Sequence, residues 1–295
     1  MWELQFEIET KCSLNCVHCS SLKMRQHKNR YYTDDDLLNF IKLFETSLHI
    51  YFTGGDPINY KTLPALCKEI QGVSQGIGMG LYSTGNHLYN SFINENFAKE
   101  LYNNGVEDFY FSIYSDIEEE HDDWTQTKGS FINTILSINS AKSVGIIPKA
   151  HVVLTKTNFH KINKVIEFCE KIGIKEVRIL RLTSCGAAIY NWNKIGLSYE
   201  EQNKIIEDLI KNKQNFDVKL SFSGYPLLHP CRSFDSSKGC EAGIKLLYID
   251  IFGDIYPCAC SKEGNKICNI VECEKVINYI KSQSIMYRTN CLNSM

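Results

Sequence analysis

The feature that most limits the fold of this chain is an alternation of short β-rich segments with helix-period segments over residues 1–182. Strands are predicted at 3–9, 48–53, 78–82, 108–113, 149–154 and 175–181, with helices between them near 33–46, 62–74, 91–103, 130–144 and 159–172. Such alternation gives parallel strands joined by helical crossovers. Because six units follow one another without a reversal of order, the sequence predicts an α/β fold, a partial (β/α)6 TIM-like barrel, rather than a doubly wound sheet.

The alternation stops after residue 182. Residues 183–223 are predicted to form a bridging segment that contains one helix near 199–212, and residues 224–295 a small cysteine-rich domain. In that domain "IKLLYIDIFGDIYPCAC" contains two strand-like runs on either side of "FGD", which predicts a β-hairpin, with a helix beyond it. The domain boundaries are therefore expected near residues 182 and 224.

Charge and hydropathy exclude several classes of protein. The 32 basic and 34 acidic residues are spread without blocks and give a net charge of −2, so neither nucleic acid nor an anionic membrane is an expected partner. No apolar run approaches the roughly 20 residues of a membrane span. The N-terminal segment "MWELQFEIET" carries carboxylates where a signal peptide has basic and then apolar residues, which predicts a cytoplasmic protein.

Thirteen cysteines are unusual for such a protein, because cytosolic thiols are kept reduced and metal or redox chemistry is the better interpretation. Three of them, Cys12, Cys16 and Cys19, lie in "CSLNCVHC" directly after the first predicted strand. A structural zinc site has four closed ligands. A [4Fe–4S] cluster held by only three thiolates keeps one iron open to a small molecule. A zinc site completed from elsewhere and core packing are the alternatives.

This C-x3-C-x2-C loop resembles that of the radical S-adenosylmethionine (SAM) superfamily. The resemblance implies a [4Fe–4S] cluster whose open iron binds SAM, and an electron donor such as flavodoxin or ferredoxin. The reduced cluster would cleave SAM to a 5′-deoxyadenosyl radical, which removes a hydrogen atom from the substrate. His18 stands where the family usually has an aromatic residue.

Further motifs at the ends of later strands carry the same resemblance. "GGDP" is similar to the family's GGEP motif, with Asp56 in place of glutamate, and "YSTGN" follows the third strand. Glycine suits a backbone that approaches a ligand closely. The resemblance implies that SAM is contacted by Gly54, Gly55, Asp56, Pro57, Ser83, Thr84, Asn86, Ser112 and Arg178. Arg181 is the alternative to Arg178.

The segment from Cys240 to Cys258, "CEAGIKLLYIDIFGDIYPC", resembles the opening of the SPASM or twitch extension found in radical SAM enzymes. Because the full SPASM continuation is absent, the resemblance implies one auxiliary [4Fe–4S] cluster. Its expected ligands are Cys240, Cys258, Cys260 and Cys291, and the alternatives to Cys260 are Cys231, Cys268 and Cys273. A zinc knuckle or a loose set of thiols is the alternative.

Two other cysteines are candidate catalytic residues. Cys185 and Cys231 could donate a hydrogen atom to a substrate radical, with packing and cluster ligation as their respective alternatives. Cys67 and Cys169 lie on apolar helix faces and are expected to be core residues.

Enzymes with this combination of domains most often modify peptides. The resemblance therefore implies a peptide or small protein substrate and the maturation of a ribosomal peptide by epimerisation or by a thioether or carbon–carbon crosslink. The alternatives are a twitch-type dehydrogenase of a small alcohol, an oxidation like that of sulfatase maturases, and an iron–sulfur carrier, which would not need "GGDP". Because the first strand begins almost at residue 1, no fused leader-binding domain is expected, and a separate leader-binding protein is a further candidate partner.

Overall fold

The computed structural model describes residues 1–73, 76–225, 240–262 and 264–282, and the structural statements below concern these residues. The strands are β1 Trp2–Glu9, β2 Leu48–Gly54, β3 Gly78–Ser83, β4 Asn86–His87, β5 Ser91–Phe92, β6 Val106–Ser112, β7 Ile147–Leu154, β8 Glu176–Arg181, β9 Lys219–Ser223, β10 Leu246–Ile249, β11 Asp254–Tyr256 and β12 Cys268–Asn269. The helices are α1 Asp34–Ile41, α2 Leu63–Val73, α3 Glu95–Asn103, α4 Glu118–Thr125, α5 Ser130–Val144, α6 Ile162–Lys171, α7 Ala187–Ile195, α8 Tyr199–Asn212 and α9 Cys273–Ser282.

One sheet organises the described chain. Its strand order is β12-β11-β10-β1-β2-β3-β6-β7-β8-β9, and every neighbouring pair from β10 to β9 is parallel. All six predicted barrel strands are present in the predicted order, and the partial barrel is confirmed. The carboxyl ends of these parallel strands lie at one edge, where the loops that carry chemistry are expected.

The alternation of side chains along β1 explains how the sheet separates two environments. Leu4, Phe6 and Ile8 are buried in the apolar core between the sheet and the helices, where Phe6 packs edge-on against Phe40 of α1 with ring centroids 5.9 Å apart. The residues between them, such as Gln5, point into the barrel, and Gln5 lines its cavity. The interior of the barrel is therefore polar, and the hydrophobic core lies outside it.

Helix ends follow local capping. α1 begins with a capping box between Thr33 and Asp36, as its sequence predicts, and it ends at Ile41 rather than at residue 46. α3 begins only at Glu95, because Asn94 accepts a hydrogen bond from the backbone N–H of Phe97 and residues 91–92 belong to a short ladder with residues 86–87. The prediction of a helix from residue 91 was wrong for that reason.

A seventh unit follows β8, and of its elements only the helix near residues 199–212 was predicted. After β8 the chain forms α7 and α8 and then β9, which pairs in parallel with β8 from Glu176 opposite Lys219 onward. α7 gives a weak sequence signal, because it spans only nine residues between Gly186 and Gly196 and contains two asparagines and bulky aromatic residues. β9 is five residues long and only partly buried. The bridging segment thus extends the barrel.

The predicted C-terminal hairpin is present and continues the same sheet. β10 pairs in parallel with β1, with Glu3 opposite Leu246, and β11 returns antiparallel to β10. Asp250 closes the turn by accepting hydrogen bonds from the backbone N–H groups of Phe252 and Asp254. The three predicted domains therefore share one sheet, and the boundaries at residues 182 and 224 stay predictions.

Among the helices that the structure describes, none is both long and apolar enough to cross a lipid bilayer.

Candidate active site

The loop that follows β1 presents its three cysteines to one cavity of about 290 Å³. Cys16 is buried, and its Sγ lies 4.0 Å from the hydroxyl of Tyr114. The guanidinium of Arg25 donates a hydrogen bond to the carbonyl oxygen of Cys12 at 3.1 Å and lies 3.9 Å from the Sγ of Cys19. The three thiols therefore face a common space with a cation beside them.

The thiols of Cys12 and Cys16 are protonated in the chain alone, and binding to a metal cluster would deprotonate them. Burial raises the pKa of Cys12 to about 12 and raises the pKa of Cys16 further. Both remain thiols in the chain alone, and ligation would release their protons. Within the described ranges no three His, Cys, Asp or Glu side chains converge as the ligands of one metal ion do. The described residues thus provide no mononuclear zinc site, whereas a cubane spreads its ligands over different irons.

His18 fills an aromatic position of the loop. Its ring packs against Tyr114 and Trp124, with centroid distances of 5.1 and 5.2 Å. The indole N–H of Trp124 donates to Nδ1 of His18 at 2.9 Å. Burial lowers the pKa of His18 to about 4, so the imidazole is neutral and can accept this bond. The histidine can therefore replace the usual aromatic residue.

Gly54 and Gly55 are required by the end of β1. Gly54 has a φ of +130°, and a methyl group there would overlap the carbonyl oxygen of Glu9. A methyl group at Gly55 would overlap the backbone of Thr10 and Lys11, and the N–H of Gly55 donates to the carbonyl of Glu9 at 2.7 Å. The glycines therefore allow two strand ends to meet where the three-cysteine loop begins, and both line the cavity.

Asp56 connects the loop that follows β2 to the loop that follows β3. Its buried carboxylate accepts hydrogen bonds from the hydroxyl of Ser83 at 2.8 Å and from the backbone N–H and hydroxyl of Thr84 at 2.8 and 2.6 Å. Asp56 itself does not line the cavity, whereas Ser83 and Thr84 do. Pro57 also lies off the cavity, where it begins a short 3-10 turn. Asp56 thus positions residues at the cavity wall.

The other residues predicted to contact SAM also include some that line the cavity and some that do not. Ser112 lines the cavity. Asn86 is buried behind it, where its amide donates to the carbonyl oxygens of Thr84 and Ser130. Arg178 does not line the cavity, because its side chain lies over the ring of Tyr110 in the barrel interior.

Arg181 does line the cavity, at the wall that Gly224 completes. Of the two predicted arginines, only Arg181 is thus placed to reach a bound ligand.

The C-terminal cysteines reach this cavity from the hairpin. Cys240, Cys258 and Cys260 all line it, and Cys240 packs with Ala242 and Cys258. Cys231 and Cys291 lie outside the described residues. The remaining alternatives are placed elsewhere: Cys268 is buried in the main core, and Cys273 is exposed at the start of α9.

Cys185 lines the same cavity as both sets of cysteines. It is buried, lines the cavity, and its Sγ is 3.3 Å from the hydroxyl of Thr183. The next residues hold it against the three-cysteine loop, because the N–H of Ala187 donates to the carbonyl of Cys19 at 2.9 Å and Gly186 leaves no room for a methyl group there. Cys67 and Cys169 are core residues, as expected.

Several residues of the site were not predicted. Gln5, Tyr82 and His151 line the cavity from three strands, and the rings of Tyr82 and His151 are 4.6 Å apart. The signal for them was available, since alternate positions of a barrel strand point inward. Lys262 gave no sequence signal, because its partner Glu7 is 255 residues away in the chain. Arg25 lies only six residues after Cys19 but belongs to none of the recognised motifs.

The residues present fit a [4Fe–4S] cluster with SAM at its open iron. The donor set is three thiols on one loop, which is the number that leaves one iron without a protein ligand. Polar groups of Ser83, Thr84 and Ser112 and the guanidinium of Arg181 face the same cavity. Three thiol donors and a polar wall are thus provided by this chain.

Comparison with known proteins places this site in a family. The sequence model of the Radical SAM superfamily matches residues 7–169. The chain is 32% identical over 138 residues to a probable GTP 3′,8-cyclase of Metallosphaera sedula, which is 46% of this chain and 41% of that protein. It is 22% identical to the AdoMet-dependent heme synthase of Oleidesulfovibrio alaskensis, over 86% of this chain and 69% of the relative.

A maturase is also among the relatives. The mycofactocin maturase MftC of Mycolicibacterium smegmatis is 22% identical, over 86% of this chain and 63% of the relative.

Solved structures share the fold. SuiB of Streptococcus suis bound to the precursor peptide SuiA superposes with a TM-score of 0.69 at 17% identity, covering 96% of this chain and 65% of SuiB. Native anSMEcpe with bound AdoMet superposes with a TM-score of 0.67 at 18% identity, covering 95% of this chain and 81% of anSMEcpe. The chain thus spans less than two thirds of the cyclase and of SuiB. Because the family match includes more than half of the 295 residues, the chain belongs to the radical SAM superfamily.

Proposed function

We propose that this radical SAM enzyme removes a hydrogen atom from a peptide substrate during the maturation of a ribosomal peptide. The observation that carries the proposal is that one cavity is lined by the three-cysteine loop, by Cys185 and by the C-terminal cysteines. A substrate radical formed there would face a thiol. Two neighbours in fold support a peptide as substrate, SuiB bound to the precursor peptide SuiA and anSMEcpe bound to AdoMet and the Cp18Cys peptide.

The roles of the residues follow from their places in the cavity. Cys12, Cys16 and Cys19 would hold the cluster, with Arg25 beside the sulfur of Cys19 to offset negative charge. Gly54, Gly55, Ser83, Thr84 and Ser112 would bind SAM together with Arg181. When bound, the reduced cluster and SAM supply a 5′-deoxyadenosyl radical that takes one hydrogen atom from the substrate.

The C-terminal cysteines would hold a second cluster. Cys240, Cys258 and Cys260 are on the cavity wall, and Cys291 remains the proposed fourth ligand. Four thiolates close a [4Fe–4S] cluster completely, so this site would carry electrons and would not bind SAM. The first site is open and the second is closed.

The position of Cys185 favours epimerisation. Its thiol would return a hydrogen atom to the substrate carbon, which leaves the connectivity of the peptide unchanged and the sulfur as a thiyl radical. One electron and one proton must then restore the thiol, and the electron would come from the flavodoxin or ferredoxin donor. Cys231 stays a proposed alternative donor. This chemistry needs reduced thiols, which fits a cytoplasmic enzyme, and a separate leader-binding protein would be consistent with a peptide substrate.

The test is mass spectrometry of a short peptide encoded beside this gene after co-expression in D2O. Because thiol protons exchange with solvent, epimerisation through Cys185 should place one deuterium in the peptide and change no bond. Cys185→Ala should abolish deuterium uptake, while Cys169→Ala, which removes a buried core thiol, should retain it.

Two results would contradict the proposal at different points. Loss of two hydrogens would indicate a crosslink and would remove the donor role of Cys185. A peptide of unchanged mass, accompanied by formation of 5′-deoxyadenosine, would mean that the substrate is not this peptide.

A further inference from the structure

A buried ion pair joins β1 to the C-terminal cysteine segment. The ammonium group of Lys262 lies 3.2 Å from Oε1 of Glu7, and the side chains of Lys262 and Glu7 are 4% and 0% exposed. The hydroxyl of Ser21 donates to the same carboxylate oxygen at 2.8 Å and lies 3.1 Å from Nζ of Lys262. The hydroxyl of Tyr248, from β10, is 3.5 Å from Nζ.

The sequence positions of these residues place the pair where the two cysteine segments meet. Ser21 is two residues after Cys19, and Lys262 is two residues after Cys260. Ser21 lines the cavity that the three-cysteine loop faces, and its hydroxyl contacts both Glu7 and Lys262. The pair therefore lies directly behind the wall of the first cluster site.

A pair of this kind is costly to bury, and replacement by apolar residues often leaves a fold as stable. Ser20 and Ser21 line the cavity beside the pair, whereas Lys262 itself is shielded from it. The chain thus keeps a positive and a negative charge, both fully desolvated, next to a site that must accept an electron.

We propose that Lys262 and Glu7 set the reduction potential of the cluster held by Cys12, Cys16 and Cys19. This inference rests on that cluster assignment and not on the identity of the peptide. Reduction adds a negative charge to the cluster, so a nearby desolvated cation stabilises the reduced form and a nearby anion opposes it. Lys262 makes reduction easier, and Glu7 limits this effect while it holds the lysine in place.

The test is a redox titration of the reconstituted full chain followed by electron paramagnetic resonance. The signal of the first cluster is identified by its change of shape when SAM is added. Lys262→Met should make its midpoint potential more negative, with at least a tenfold lower reduced fraction at fixed potential, about 59 mV for one electron. Glu7→Gln should shift it in the opposite direction, because the lysine is then unopposed.

Two further variants separate charge from structure. Lys262→Arg keeps the charge and should retain a potential near that of the wild type. Lys266→Met removes a half-exposed lysine that pairs with Asp254 at 2.6 Å on the hairpin, and it should leave the potential unchanged.

Opposite signs are the decisive result, since a merely structural role would move both variants in the same direction or neither. Shifts of equal sign, or no shift, would overturn the inference. If Lys262→Met does not fold, the test depends on Glu7→Gln alone. An unchanged or more negative midpoint potential in that variant then overturns the inference. Absence of a cluster that responds to SAM in the wild type would instead refute the cluster assignment, and with it both proposals.

Discussion

Asp56 is the residue on which the geometry of two loops of the site depends. Its carboxylate is buried, and burial raises its pKa to about 6, although hydrogen bonds from Thr84, Ser83 and the backbone of Ile58 lower it. The folded chain thus holds this proton more tightly than the unfolded chain, whose aspartate has a pKa near 3.8. The resulting stabilisation is complete below pH 3.8 and is lost as the pH rises through about 6.

We predict that Asp56→Asn removes this pH dependence. Between pH 4 and pH 7 the free energy of unfolding of the wild type should fall relative to that of the variant by about 2 kcal/mol, most of the equivalent of the pKa difference. Urea unfolding of the cluster-free chain at a series of pH values measures it. If the unfolding free energies of the wild type and of Asp56→Asn change equally with pH, the raised pKa of Asp56 is contradicted.

Asp122 provides a control of opposite sign. Hydrogen bonds from the backbone of Phe131 and Gly129 outweigh burial and lower its pKa. Its stabilisation is therefore present above the unfolded pKa and is lost as the pH falls through the folded one. Asp122→Asn should lose stability at neutral pH and lose less in acid.

Individual residues also show which parts of the site the sequence could predict. The motifs correctly placed Cys12, Gly54 and Ser83 on one cavity. They could not distinguish a residue that lines the cavity from one that supports it, as with Asp56, because that depends on side-chain partners from another loop. The sequence left Arg178 and Arg181 open for a similar reason, since the ring over which Arg178 lies belongs to β6.

At the scale of the element, the junction between β1 and β2 controls the start of the three-cysteine loop. We predict that Gly54→Ala destabilises the chain by roughly 3 kcal/mol, since the new methyl group would overlap the carbonyl of Glu9 at a φ that favours glycine. Thermal unfolding measures the loss, and SAM binding should decline with it.

Gly72→Ala is the matched control for that variant. Gly72 lies exposed near the end of α2 with open space where the methyl group would stand. Because alanine is the better helix former, this variant should gain about 0.5 kcal/mol. An equal loss in both variants would show that the junction at Gly54 has no special constraint.

Elements with strong periodicity were predictable and short ones were not. The helix at Ser130–Val144 has the predicted bounds, and the six strands of the barrel follow the predicted order. α7 and β9 were missed because neither is long enough for local preference to outweigh its composition, and both are stabilised by packing on β8 and its neighbours. Long-range contacts decide such elements.

At the scale of the whole molecule, the hairpin determines how the two cysteine sets meet. Its sequence predicted the turn, but not that β10 would pair with β1 at the other end of the chain. That pairing brings Cys258 and Cys260 to the same cavity as Cys12. Proximity of residues so far apart in the chain follows only from the strand order of the sheet.

The central claim is that the first site is open and generates the radical, while the second is closed. The most direct measurement is the amount of 5′-deoxyadenosine formed from SAM by the anaerobically reconstituted chain after reduction with dithionite. Wild type and the core variant Cys67→Ala should form it. Cys16→Ala should form none, and Cys240→Ala should still form it while its iron content falls by about four atoms. Formation of 5′-deoxyadenosine by Cys16→Ala, or its loss in Cys240→Ala with the first cluster intact, would contradict the account.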